Sequence, residues 1–103
     1  MPSPTIVADR SWFAIAPDGT EHDVVMTVYL PYLGEGGEWR CPVTISRLEL
    51  KPLAIAGIDS WQAIHLAMKF AATRLGHFAD QGWKFYWERG GELAAREDLV
   101  IPS

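Results

Sequence analysis

Hydrophobic and polar positions alternate along the first half of the chain and then switch to a helical period. Thr5 to Ala16 is rich in β-branched and aromatic residues and predicts a first strand. Pro17-Asp18-Gly19-Thr20 is turn chemistry: proline presets φ, aspartate bonds locally to the backbone, and glycine takes the positive φ that closes a hairpin. Glu21 to Leu33 then predicts a second strand, with Val24, Met26, Val28 and Leu30 on one face and Val25, Thr27 and Tyr29 on the other. Pro31 ends or edges that strand, because it cannot donate to a ladder. Trp39 to Leu50 has the cleanest alternation: Trp39, Cys41, Val43 and Ile45 oppose Arg40, Thr44 and Ser46. Pro42 within it points to a sheet edge or a bulge. Lys51-Pro52 breaks this third strand, and Leu53 to Ile58 carries the chain across to a helix.

The helix organises the rest. Asp59 is its N-cap candidate, Gln62 can reach back in a capping-box-like arrangement, and Gly57 allows a sharp entry. An apolar stripe at i, i+3, i+4 spacing runs through Trp61, Ile64, Met68, Ala71, Ala72, Leu75 and Phe78 and is expected to face the sheet. The other side carries Gln62, Lys69, Thr73 and His77, but also Leu66 and Phe70, with Ala63 and Ala67 beside them. A helix apolar on two sides is covered on two sides or exposed with a purpose. Gly82 is the expected stop, with Gly76 an earlier alternative. Trp83 to Glu88 predicts a fourth strand, Gly90-Gly91 a turn, Glu92 to Asp98 a short helical turn, and Leu99 to Pro102 an apolar tail packed on the body.

The expected architecture is one α+β domain over residues 1–103: an antiparallel sheet of about four strands with a single long helix on one face, in β-β-β-α-β order.

Composition narrows the function classes. Net charge is −4 with no basic run, so nucleic acid and anionic membrane surfaces are not expected partners. No apolar stretch is long enough to span a bilayer, and the N-terminus lacks the pattern of a signal peptide. Cys41 is the single cysteine, which excludes an internal disulfide and agrees with a reducing, cytoplasmic setting.

Residues able to carry chemistry do not assemble into a catalytic set. His65, one turn after Trp61, reads either as a base or ligand in a pocket or as a core histidine with a hydrogen bond. Cys41 lies mid-strand on the apolar side and behaves there as a small hydrophobe. His22 and Asp23 point to opposite faces, and His22, His65 and His77 show no metal-ligand spacing, so neither a metal nor a cofactor is expected. Gly34-Glu35-Gly36-Gly37-Glu38 lies between strands and lacks the following Lys-Ser/Thr, so it reads as a hairpin loop and not a phosphate cradle. Trp12, Trp39, Trp83 and Trp87, with His65, are candidates for an aromatic pocket under the helix; core and edge packing is the favoured reading of the same rings, since indoles stabilise small cores through large buried area.

The stretch Gly57-Ile58-Asp59-Ser60-Trp61-Gln62-Ala63-Ile64 resembles the helix start of a family of small uncharacterised bacterial proteins with a Gly-x-Asp-Ser-x-Gln-Ala-Leu core, Ile64 replacing the leucine. The ending Asp98-Leu99-Val100-Ile101-Pro102 is similar to that family's Asp-Leu-Gly-Leu-Pro, with Val100 in place of glycine. The resemblance implies a shared fold and transfers no activity. The expectation is a non-enzymatic interaction protein, of an accessory or immunity type, acting as a homodimer through Ala63, Leu66, Ala67 and Phe70 and able to bind a protein partner. The alternative is a small-molecule binder using the aromatic pocket.

Overall fold

A computed structural model describes residues 5–49, 51–95 and Leu99. The elements are β1 (Ile6–Ile15), β2 (Glu21–Tyr29), β3 (Tyr32–Leu33), β4 (Trp39–Ile45), β5 (Leu53–Gly57), α1 (Ser60–Asp80) and β6 (Lys84–Tyr86). All pairings are antiparallel, in the order β3-β4-β2-β1-β6, with β5 on the other side of β4.

The class is α+β as expected, but the sheet has six strands and not about four. Two differences account for this. The expected second strand splits at Pro31 into β2 and β3, which lie in line along the same side of β4. The crossing segment Leu53 to Ile58 forms β5, whose Leu53, Ile55 and Gly57 face Val43, Cys41 and Trp39. β5 places β4 inside the sheet, correcting the edge position suggested by Pro42. Ser46, just beyond β4, donates its N–H to the Val25 carbonyl and takes the Val25 N–H on Oγ at 2.8 Å. In an antiparallel ladder backbone groups alternate sides, so Pro42 also turns its nitrogen toward the β2–β3 side. There the β2–β4 ladder has ended at Val28 and Val43 and the β3–β4 ladder starts only at Tyr32 and Arg40, and the Tyr29 carbonyl accepts from the Cys41 thiol at 3.3 Å. The missing proline N–H costs nothing there.

The turns follow local chemistry. Asp18 Oδ1 accepts from the backbone and hydroxyl of Thr20, at 3.0 and 2.7 Å, and Gly19 has φ +88°. Asp59 caps α1, accepting from Gln62 N at 2.8 Å, while Gln62 Oε1 accepts from the Ile58 N–H, one residue earlier than a capping box has it. α1 runs past Gly76 to Asp80 and ends in a Schellman motif: Gly82, at φ +106°, donates to Ala79 and Trp83 donates to Phe78.

The core lies between the sheet and α1 and includes Trp12, Val24, Val43, Ile45, Leu75 and Phe85. The helix meets it with small residues. Ala63, Ala67, Ala71 and Leu75, four apart, are buried, with Ile64, Phe70 and Phe78 packed at their sides. Gly57 explains the choice. A Cβ built on it would stand 2.6 Å from Ala63 N and 2.9 Å from Ala63 Cα, so the first turn presses on the end of β5. No large side chain fits between them. Trp61, expected as the anchor of this stripe, is 84% exposed, and Met68 is exposed as well.

α1 covers β4 and β5. Trp12, on β1, is covered instead by Trp87 and Phe85 and by a C-terminal segment that buries Ala94 and Leu99 in the same core. Leu99 is therefore packed on the body as expected, while Val100 to Pro102, and Arg96 to Asp98 of the expected helical turn, lie outside the described residues. Leu93 bridges to Tyr86.

Candidate functional site

The expected aromatic pocket divides. Trp12, Trp83 and Trp87 do come together near β1 and β6. Trp87 lies on Trp12 with centroids 4.7 Å apart, Trp12 meets Phe85 at 6.4 Å, and Phe85 stacks on Trp83 at 6.3 Å. Arg10 sits over Trp12 and Trp87 at 5.7 and 5.8 Å. Trp12 Nε1 is buried and makes no hydrogen bond. Trp39 is elsewhere: it pairs with Gly57 on β4, with β2 and β1 between it and β6. His65 is exposed on the helix and lines neither the cavity beside Trp83 nor the cleft beside Ile58. A cavity of about 250 Å³ beside Trp83, lined also by Ala79, Phe85, Leu93, Ala94 and Leu99, is smaller than the roughly 300–1,000 Å³ of ordinary ligand sites.

The remaining reactive groups stay apart. Cys41 is fully buried, its thiol donates only to carbonyls, and burial pushes its pKa up. His22 bonds through Nε2 to Thr20 Oγ1 at 2.9 Å and lies by Trp83, whereas His77 is exposed near the end of α1.

The expected self-association face also changes. Ala63 and Ala67 are fully buried against the sheet and belong to the inner side of α1, while Phe70, partly buried, packs on the core from its flank. Leu66 is half-buried. The apolar surface lies instead at the junction of β5 and α1. Ile58 is 81% exposed, close to the value of Trp61 three residues on. Beside them is a shallow cleft of about 520 Å³ lined by Gly36, Gly37, Glu38, Ala56, Gly57, Ile58 and Gln62. Glu38 is held below the usual carboxylate range by its own backbone N–H and then by Arg40, whose guanidinium lies 2.9 Å away. The cleft therefore presents glycine backbone, one paired carboxylate and the apolar side chain of Ile58.

This junction was legible only in part. Asp59 and Gln62 marked the helix start, but a tryptophan in the first turn reads from sequence as a core residue. Its exposure follows from the glycine four positions before it.

A family model described as Domain of unknown function (DUF6968) matches residues 8–95, taking in β1 from Ala8 on, the other five strands and the helix. The chain belongs to this family. The DUF6968 match ends at Ala95 and includes the whole β5–α1 junction. No curated protein and no solved structure matches this DUF6968 chain. No helix among its described residues is long and apolar enough to cross a membrane.

Proposed function

We propose that this protein is a non-enzymatic interaction protein, of an accessory or immunity type and of bacterial origin, that works as a homodimer and holds a protein partner. The observation that carries the reading is that Ile58, which lines the cleft, and Trp61, three residues on in the first turn of α1, are both more than four-fifths exposed. Two large apolar side chains left in water forgo roughly 1.5–3 kcal/mol each relative to full burial. Tryptophan at the centre of a water-excluding patch is also the residue type that most often dominates a protein interface. The rigid base supports this use, because Asp59, Gln62 and the close Gly57–Ala63 contact fix the junction.

Light scattering coupled to gel filtration tests the self-association. The chain has a mass of 11.5 kDa, so a dimer is 2 × 11.5 = 23 kDa. A mass approaching 23 kDa as the concentration rises through the micromolar range is the expected result. A constant 11.5 kDa contradicts it.

A further inference from the structure

We propose that two copies of this chain pair through the outer edge of β5, antiparallel and centred on Ile55, to form one continuous sheet across a two-fold axis; this rests on the self-association reading above.

Among the described residues, two strands of five or more residues leave an edge open, the two-residue β3 apart. β1 pairs with β6 only at Phe13 to Ile15, and β5 pairs only with β4. Backbone alternation states which groups each edge offers. Because even-numbered residues of β4 turn toward β2, Ala54 and Ala56, opposite Pro42 and Arg40, turn their N–H and C=O groups outward. On β1, Ala16 N bonds Thr20 O across the hairpin, so Asp9 and Ser11 turn theirs outward.

Symmetry then separates the two edges. A two-fold axis that joins a strand antiparallel to its own copy must run along the sheet normal, which keeps each side chain on its face. On β1, bonding Asp9 to Ser11 of the copy sets Arg10 against Arg10, and the neighbouring register sets Asp9 against Asp9. Like charges directly opposite destabilise a pair. The β1 edge is therefore guarded against itself.

The β5 edge carries no such guard. Leu53-Ala54-Ile55-Ala56-Gly57 has no charge and no proline, the composition that edge strands ordinarily avoid. Centring on Ile55 pairs Ala54 with Ala56 of the copy twice over and satisfies every outward backbone group of the strand. Leu53, partly exposed, falls opposite the Gly57 of the second copy, where no side chain competes. Pro52, with no N–H, falls opposite Ile58, whose N–H is already held by Gln62. One step further, Lys51 falls toward Asp59 of the second copy, opposite in charge.

The helices fit the same axis. α1 rests on β4 and β5 alike, and strands lie about 4.8 Å apart. The two helix axes then run about 10 Å apart on one face of the joined sheet, at the upper end of packed-helix distances. Phe70 and Ala79 are nine residues apart and so lie on opposite flanks of α1. Ala79 lines the cavity beside Trp83 and Phe85, so Phe70, with Leu66 a turn before it, lies along the flank toward β5 and toward the second helix.

The test replaces Ala54 and Ala56 by lysine, which puts two like-charged pairs into the ladder while leaving the β4 pairing untouched. Wild type should run as a dimer, and Ala54→Lys/Ala56→Lys as a monomer with unchanged helical circular dichroism. A folded double variant that remains dimeric overturns the β5 pairing alone and leaves self-association standing; a wild type that is monomeric throughout removes both. Amide exchange in the wild type needs no variant. The N–H groups of Ala54 and Ala56 should exchange at least tenfold more slowly as concentration carries the protein from monomer to dimer, while those of Asp9 and Ser11 stay fast. The reverse pattern assigns the interface to β1.

Discussion

Replacing Gly57 by alanine should unseat the helix. The added methyl would meet Ala63 N at 2.6 Å, Ala63 Cα at 2.9 Å and Gln62 C at 3.1 Å, all of them backbone atoms that cannot rotate away. Ordinary carbon contacts begin near about 3.5 Å, so the first turn of α1 must retreat by about 1 Å or β5 must bend. Either movement opens the contact that buries Ala63 and Ala67. Overpacking of this kind costs roughly 1–3 kcal/mol, and because the obstacle is backbone the expected loss is about 2–3 kcal/mol. With a urea slope of about 1–3 kcal/mol per molar for a small domain, the midpoint should fall by about 1–2 M. Ala54→Ser, on the same strand but exposed, should stay within about 0.5 kcal/mol as surface changes do. A Gly57→Ala loss no larger than that control would refute the reasoning, because it would mean that the helix start floats above β5.

Asp59→Ala should cost about 1 kcal/mol in the same melts, since it strips the cap from Gln62 N; a neutral result would show that water replaces the carboxylate. Cys41 should react with a thiol reagent slowly in the native protein and fast after denaturation, because it is fully buried and its pKa is raised by burial. The raised pKa has a pH consequence. Stability from keeping this thiol neutral is fully present below the unfolded value near about 8.5 and is lost as pH rises through the folded value, so urea melts should weaken on the alkaline side and Cys41→Ala should flatten that decline.

Much of the fold is legible in the sequence because alternation and turn chemistry speak locally. β1, β2, β4 and β6 each lie within their expected spans, and Asp59, Gln62 and Gly82 bound the helix as their residue types require. β5 is hidden because alanine is a poor strand signal and five residues of Leu-Ala-Ile-Ala-Gly show too little contrast between faces. Pro42 misleads for a non-local reason: the gap that accommodates it exists only because β2 and β3 break opposite it.

The helix faces are the more instructive failure. Periodicity gives two apolar stripes and does not rank them, and side-chain size favours the stripe with Trp61. Distance decides the other way. Gly57 brings the helix so near that only alanines fit beneath its first turns, and Trp61 and Met68 are turned out, while Ile64, Ala71, Ala72, Leu75 and Phe78 of the same stripe stay on the core as expected. The candidate site inherits that change: Trp61, which reads as an anchor of the core, is an exposed apolar side chain near the cleft residue Ile58, while Ala63 and Ala67 leave the expected outer face for the interior.

Trp61→Ala tests this most directly, in urea melts run dilute enough to keep the chain monomeric. A tryptophan 84% exposed contributes little to the monomer, and the predicted loss is below about 1 kcal/mol. A loss of about 3–5 kcal/mol, the cost of truncating a buried tryptophan, would contradict the account, since it would put Trp61 in the core and remove it from the exposed apolar surface.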